Sequence, residues 1–394
     1  MTAAIAAVFV LVGAVPRLLL AADALPDALR PFIWSDVLHT WERGMSGGRV
    51  PYWDTYFEYP PLVGYASALF SWLAPSAVAY VAMWTAVQAA AAAIVAAVLG
   101  RRPLVAWSFA PQLALLGPVN FDLVTIAALV LAVRFGRAHA PMRSAAAIAV
   151  GTAAKLFPAV ALPVVLIREA AGRRMRAAAT ALAVFAVLVA AAYAPSALAP
   201  FSSLESITRY AARIPANFDS FWGLPAAAVA WTGLDPSRPI LVITLAGLVI
   251  SYAAVVLPAA LRARDVAVPI ALAVLTLLLW TRLYSPQFSL WALPFFALLP
   301  LDRRALTLLI AADLLVFATV YPLTLREWAA DDPVRVALFA VLAAAVVVRH
   351  LALLLAWLSA RRLAGRGWKG APGAGPNGPR VKGPLRQLRA ATTP

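Results

Sequence analysis

Residues 22–60 are where the side chains could do chemistry. Six of the 17 acids in this 394-residue chain lie there: Asp23, Asp27, Asp36, Glu42, Asp54 and Glu58. Trp34, His39, Trp41, Tyr52, Trp53, Tyr56, Phe57 and Tyr59 are interleaved with them. Carboxylates accept hydrogen bonds from hydroxyls, and aromatic rings stack on C–H faces, so the mixture suits a sugar. The aromatics alone would equally form a belt at a membrane interface; the acids among them favour a site.

Three other clusters follow. Asn120-Phe-Asp122 opens a short apolar run. Asn120 can cap a helix with Asp122 in its first turn, and a carboxylate at membrane depth is costly and commonly functional. Lys155 sits in an apolar stretch beside Pro158. A lysine there must snorkel, pair with an acid such as Asp122, or meet an anionic ligand such as a lipid phosphate. The run Trp280-Thr-Arg-Leu-Tyr-Ser-Pro-Gln287 offers Arg282 as a planar fork for phosphate, with Tyr284 and Gln287 as hydrogen-bonding neighbours. Snorkelling at an interface is the plainer role for Arg282. Arg209, Arg213, Asn217 and Asp219 form a weaker set.

Other chemistries are poorly provided for. The chain has no cysteine, which removes disulfides, thiolate-ligated metals and iron–sulfur clusters. Its three histidines, His39, His139 and His350, are far apart. No phosphate-binding glycine loop, dinucleotide fingerprint or serine-nucleophile elbow is present. No metal or cofactor is expected.

The elements that must position these residues are membrane helices. Hydrophobic residues are 63% and charged residues 13% of the chain, and the mean hydropathy is +0.84. A soluble protein carries about a quarter charged residues; here lipid must solvate the outer face. A span needs about 20 apolar residues. Candidates are 3–21, 78–99, 177–194, 239–261, 266–282, 304–323 and 334–358, with shorter runs at 103–117, 120–135 and 286–301. Residues 3–21 read as an uncleaved first span, since Arg17 follows the apolar run rather than preceding it.

The net charge of +16 has a direction. Basic gaps at 101–102, 134–143, 168–176, 262–264 and 303–304, and the tail, read as cytoplasmic. That distribution fits anionic lipid headgroups and argues against nucleic acid. Residues 144–167, broken at Lys155-Leu-Phe-Pro158, read as a pair of short helices that enters and returns. Residues 61–75 read as a helix at or dipping into the outer interface. The expected fold is an all-α polytopic membrane protein with about 12 membrane passes, cytoplasmic termini and outer loops near 22–60 and 195–238. A transmembrane domain, 1–362, precedes a Gly/Pro/Arg-rich tail, 363–394, expected to be disordered. Its Ala/Val/Arg/Pro usage points to a high-GC bacterium.

At this point a resemblance emerges. Trp34-Ser-Asp36, Gly48-Arg-Val-Pro-Tyr52 and Phe57-Glu-Tyr-Pro-Pro-Leu62 resemble the first loop of bacterial membrane glycosyltransferases of the C superfold. Asn120-Phe-Asp122, Gly151-Thr-Ala-Ala-Lys-Leu-Phe-Pro158 and Ser285-Pro-Gln287 are similar to the downstream pattern of glycosyltransferase family 87, the polyprenyl-phosphate-mannose-dependent mannosyltransferases of actinobacteria. The resemblance implies inverting transfer of a sugar, mannose first and arabinose second. The donor would be a polyprenyl-phosphate sugar and the acceptor a glycolipid or glycan, met on the outer face of the bacterial plasma membrane. Asp36 matches the position of the family's base, although Asp54 and Glu58 are close by. His39, Asp54, Tyr56, Glu58, Tyr59, Asn120, Asp122, Lys155, Arg282, Tyr284 and Gln287 are the candidates for binding substrate. A transporter or flippase for a lipid-linked saccharide would also use outer acids, aromatics and buried cations, and an assembly scaffold with a degenerate site is a third reading. The large asymmetric first loop favours the enzyme, because transporters concentrate polar groups at the midplane of repeated halves. On the enzyme reading, Asp36→Asn abolishes transfer while the protein still inserts, as membrane fractionation and a labelled-donor assay would show.

Overall fold

The computed structural model describes residues 1–100, 106–230, 232–329 and 332–366. Helices dominate, and no strand is found among the described residues. The first half contains α1 (Thr2–Ala21), α2 (Asp36–Glu42), α3 (Pro61–Leu73), α4 (Ala77–Leu99), α5 (Pro111–Leu115), α6 (Asp122–Arg137), α7 (Pro141–Ala154), α8 (Leu162–Ala171) and α9 (Met175–Ala197). The second half contains α10 (Ser203–Arg213), α11 (Gly223–Ala230), α12 (Ser237–Ser251), α13 (Leu257–Arg262), α14 (Ala267–Trp280), α15 (Leu293–Leu298), α16 (Arg303–Leu325) and α17 (Pro333–Gly365).

Six helical stretches among the described residues are long and apolar enough to cross a membrane: α1, α4, α9, the continuous Ser237–Arg262, α16 and α17. Ser237–Arg262 joins α12 to α13 through a π-helical turn at Tyr252–Val256. Val242, Ile243, Val249 and Ile250 lie exposed on its side, as lipid-facing residues do. The shorter apolar runs are more broken than hydropathy alone suggests. Pro286 and Pro294 divide 286–301 into a 3₁₀ turn and the six-residue α15, because proline lacks the N–H an uninterrupted helix needs. Part of 103–117 lies outside the described residues, as do 367–394 of the tail. The remaining expected passes fall on helices shorter than 18 residues.

Those short pieces form the interior. α14 is buried along nearly its whole length and packs against α17, α12 and α13. α6 is buried almost as completely and lies against α7 and α4. Helix breaks at membrane depth are tolerated where protein surrounds them. The break expected in 144–167 is present: α7 stops at Ala154, Lys155 is extended, and a 3₁₀ turn at Phe157–Ala161 leads into α8. Gly151 permits this, since a Cβ there would meet Pro158 Cγ at 3.0 Å and Ala128 Cβ at 3.1 Å. Residues 61–73 are helical as expected, and the second long loop, 195–238, holds α10 and α11.

α1 crosses α5 at its closest point through Gly13, where an added Cβ would come 1.8 Å from the Ala114 carbonyl oxygen. Gly13→Val therefore has to separate the two helices. Overpacking of this kind costs about 1–3 kcal/mol or more, so thermal unfolding in detergent should shift to lower temperature than for the parent.

Candidate active site

Ser35 starts α2: its Oγ accepts from Leu38 N at 3.1 Å, which places Asp36 in the first turn. The backbone N–H of Asp36 donates to the Val119 carbonyl at 2.9 Å. That bond brings the turn before α6 against the start of α2. Trp34 Nε1 donates to Asp36 Oδ1 at 2.7 Å, and Asn120 Nδ2 donates to Oδ2 at 2.6 Å. Asn120 Nδ2 also reaches the Tyr59 hydroxyl at 3.2 Å. Asp36 keeps part of its surface accessible. Surrounding protein removes enough water to raise its carboxyl above the ordinary value; the bonds from Trp34 and Asn120 and the charge of Lys155 oppose the rise.

Two residues after Asn120 stands a second carboxylate. Asp122 is buried, and Lys155 Nζ lies 2.8 and 2.9 Å from its two oxygens. Of the partners open to Lys155, the acid is the one found. Trp291 Nε1 donates to Asp122 Oδ1 at 2.7 Å. The ammonium lies 4.5 Å from the centre of the Phe288 ring and 5.5 Å from that of Trp291, distances at which a cation is attracted to a ring face. Phe157, Trp291 and Phe288 stack in turn, with centroids 3.8 and 4.0 Å apart. The helix break at Lys155 delivers the ammonium to this wall; in a continuous α7 its direction would follow the helix repeat instead.

Arg17 secures the assembly from below. It is 2% exposed, and its guanidinium donates to the carbonyls of Gly13 at 2.7 Å, Leu115 at 2.8 Å and Trp34 at 3.0 Å.

Several sequence candidates join this centre and others stand apart. His39 follows Asp36 by three residues on α2, and its ring lies 5.2 Å from that of Trp34. Tyr59 joins through Asn120. Asp54 is exposed and accepts from Val50 N at 2.8 Å, closing its own turn. Glu58 pairs with Arg43 at 2.8 Å. The Tyr56 hydroxyl donates to the Ser206 carbonyl at 2.8 Å, tying the two long loops. Arg282 is buried and donates to the Ile214 carbonyl, while its own carbonyl accepts from Asn217 N. It thus anchors the second loop. Gln287 is buried. Tyr284 belongs to another polar group: its hydroxyl shares a hydrogen bond with Ser289 Oγ at 2.9 Å, and Ser289 donates to Asp313 Oδ1 at 2.6 Å. Gln112 donates to Asp313 Oδ2 at 3.1 Å, and the Arg349 guanidinium covers the Tyr284 ring at 4.1 Å. Arg349 also donates to the carbonyl of Asp219, whose carboxyl burial pushes up to about 6. In the weaker set, Arg209 pairs with Glu205 on α10, and the Arg213 side chain lies outside the described residues.

Arg17, Trp291, Asp313 and Arg349 are absent from the sequence candidates. Arg17, Asp313 and Arg349 could have been found, because each is a charge within an otherwise apolar span. Among the described residues no group of three His, Asp or Glu side chains gathers as metal ligands.

The profile of glycosyltransferase family 87 matches residues 56–281, more than half of the chain. The chain belongs to glycosyltransferase family 87. Membership indicates a membrane glycosyltransferase, with sugar donor and acceptor substrates in a lipid setting. The family 87 match includes Tyr59, Asn120, Asp122 and Lys155, begins after Asp36 and ends before Arg282. No curated protein and no solved structure matches the chain.

The Asp122–Lys155 pair in this family 87 chain can be tested directly. Removing one member of a buried pair strands the other charge, typically at about 3–5 kcal/mol. Lys155→Met should lower stability in detergent by that order, and Asp122→Asn combined with Lys155→Met should recover part of the loss in a double-mutant cycle.

Proposed function

We propose that the chain transfers a sugar, with mannose the first choice, from a polyprenyl-phosphate donor to a glycolipid or glycan acceptor on the outer face of the bacterial plasma membrane. Asp36 is the general base and configuration is inverted. The observation that carries this reading is the carboxylate of Asp36: partly accessible, held by one donor on each oxygen, and set beside the Asp122–Lys155 pair in a membrane glycosyltransferase. The neighbouring acids are engaged elsewhere, Asp54 in closing its turn and Glu58 with Arg43. The family 87 match begins after Asp36, so the assignment rests on this geometry and on the resemblance of Trp34-Ser-Asp36.

One step suffices. The acceptor hydroxyl oxygen attacks the anomeric carbon while Asp36 takes its proton. The bond from that carbon to the phosphate oxygen breaks, and polyprenyl phosphate leaves with the electron pair. The attacking oxygen arrives on the face opposite the leaving group, so the configuration inverts. Lys155, whose charge acts on Asp36, is the cation offered to the departing phosphate, with Asp122 holding it in place. Phe288 and Trp291 give the apolar wall beside it.

The helix ends support the outward orientation. α6 starts at Asp122 and finishes near Arg134 and Arg137; α14 finishes at Trp280 and starts beside Asp265. Arg137 pairs with Asp265 at 2.7 Å, and Arg168 donates to carbonyls of Ala263 and Arg264. Arg134, Arg137 and Arg168 thus lie at the helix ends opposite the start of α6, and under the positive-inside rule this supports an outer position for Asp36. With cytoplasmic termini, the six long helices and the shorter ones together would make the expected 12 passes of a C-type glycosyltransferase.

Purified protein incubated with labelled polyprenyl-phosphate mannose and an envelope lipid extract should form a labelled glycolipid, and Asp36→Asn should form none. Near-normal turnover by Asp36→Asn would move the base elsewhere; no product from the parent would refute the reaction. Because the Asp36 carboxyl is raised, kcat/KM should fall as pH drops through a value above the ordinary carboxylate pKa of about 4, where the base becomes protonated.

A further inference from the structure

Charge that the transfer does not use gathers where α13 and α17 end. α13 finishes at Arg262 and α17 at Gly365, and the two helices pack together. Ala259 and Ala260 of α13 share a buried cluster with Ala356, Ala360 and Ala364 of α17. The last three recur every four residues, so they line one inward face of α17. Arg361 and Arg362 fall off that face and are exposed, as are Arg262 and Arg264.

Other residues already meet the structural needs of this end. Arg168 donates to the carbonyls of Ala260, Ala263 and Arg264, closing the end of α13. Arg262 and Arg264 are therefore not required to cap it. Arg137 holds both oxygens of Asp265, at 3.0 and 2.7 Å, and Asp265 also accepts from Ala267 N. At the end of α8, Glu169 is paired with Arg174; before α16, Asp302 accepts from Arg304 N. These acids are committed, and the four exposed arginines present their charge outward.

Their depth says what they meet. Arg361 and Arg362 follow Leu358, where the apolar run stops, by three and four residues, about 5 Å along the axis. That distance falls inside the headgroup layer. Arg361 lies 5.8 Å from the centre of the Trp357 ring, and tryptophan favours the same level. Ahead of the arginines in each helix, Ile250 and Leu261 on Ser237–Arg262 and Leu351 and Leu354 on α17 are exposed apolar residues. We propose that the ends of α13 and α17 form a binding site for an anionic phospholipid, whose headgroup phosphate is held by Arg262, Arg264, Arg361 and Arg362 and whose chains lie on the leucine and isoleucine surface. A lipid engages both parts, whereas a soluble polyanion would engage the arginines alone. The site is separate from Asp36 and does not rest on the transfer reaction.

Delipidated protein in detergent can be given phosphatidylglycerol, phosphatidylcholine or soluble glycerol 3-phosphate, with bound molecules counted by native mass spectrometry and thermal unfolding followed in parallel. Phosphatidylglycerol should be retained and should raise the unfolding temperature; the other two should do neither. Arg262→Gln combined with Arg361→Gln should weaken its retention about 25-fold, about fivefold for each arginine, with lipid-free unfolding unchanged. Arg264→Gln combined with Arg362→Gln should show the same loss, so the outcome does not depend on one variant folding. Arg335→Gln, exposed at the opposite end of α17, should bind like the parent. Equal retention of phosphatidylcholine, full retention by either double variant, or the same loss in Arg335→Gln would overturn the site. Stabilisation by glycerol 3-phosphate equal to that by the lipid would overturn the lipid as its occupant.

Discussion

Arg17 is a full positive charge inside the first helix, and burying a charge without partners is prohibitively costly. The structure meets that demand with three backbone carbonyls from three separate stretches of chain, Gly13, Trp34 and Leu115. Both supports of Asp36 hang from this clamp. Fixing Trp34 aims its indole at Oδ1; fixing Leu115 holds the turn whose Val119 carbonyl takes the Asp36 N–H and whose Asn120 takes Oδ2. Asp36 is close enough to act on Arg17 electrostatically. The cation that locks the backbone therefore also sits in the field of the carboxylate it positions.

The second pair obeys the same constraint by another route. Asp122, at the start of α6, and Lys155, in the break after α7, neutralise each other beside a stack of aromatic rings. A neutralised pair is less costly to bury than either charge alone. The pair also lies near the proposed base without bonding to it: Asn120, two residues before Asp122, is committed to Asp36 and Tyr59. The proposed transfer is served by this separation, because a cation bound directly to a base would hold it deprotonated and make it a weak proton acceptor.

Much of the architecture was readable from composition and spacing. Apolar runs bounded by basic gaps located α1, α4, α9 and α16 to within a few residues and α17 except for its last two turns, and Lys155-Leu-Phe-Pro158 marked a helix break. These features are local: span length follows from bilayer thickness, and proline breaks a helix wherever it falls. The short apolar runs were harder, since α5, α6 and α15 are interior pieces whose ends depend on neighbours rather than on lipid. Arg17, Asp313 and Arg349 passed as interruptions in spans, though each proved to be a node of buried polar contacts.

By itself the sequence determined that this is a helical membrane protein, that its acids and aromatics concentrate in the first loop, and that Trp34-Ser-Asp36, Asn120-Phe-Asp122 and Lys155 are the places to look. Residue type and spacing settle such things because hydropathy, charge and proline act over a few residues. Only the tertiary structure decided how these pieces share work: Asn120 bonds Asp36 rather than merely capping α6, Lys155 pairs with Asp122, and Arg282 anchors a loop instead of standing free for phosphate. Those choices join residues dozens of positions apart, and burial makes each polar group accept whichever partner the packed helices bring within reach.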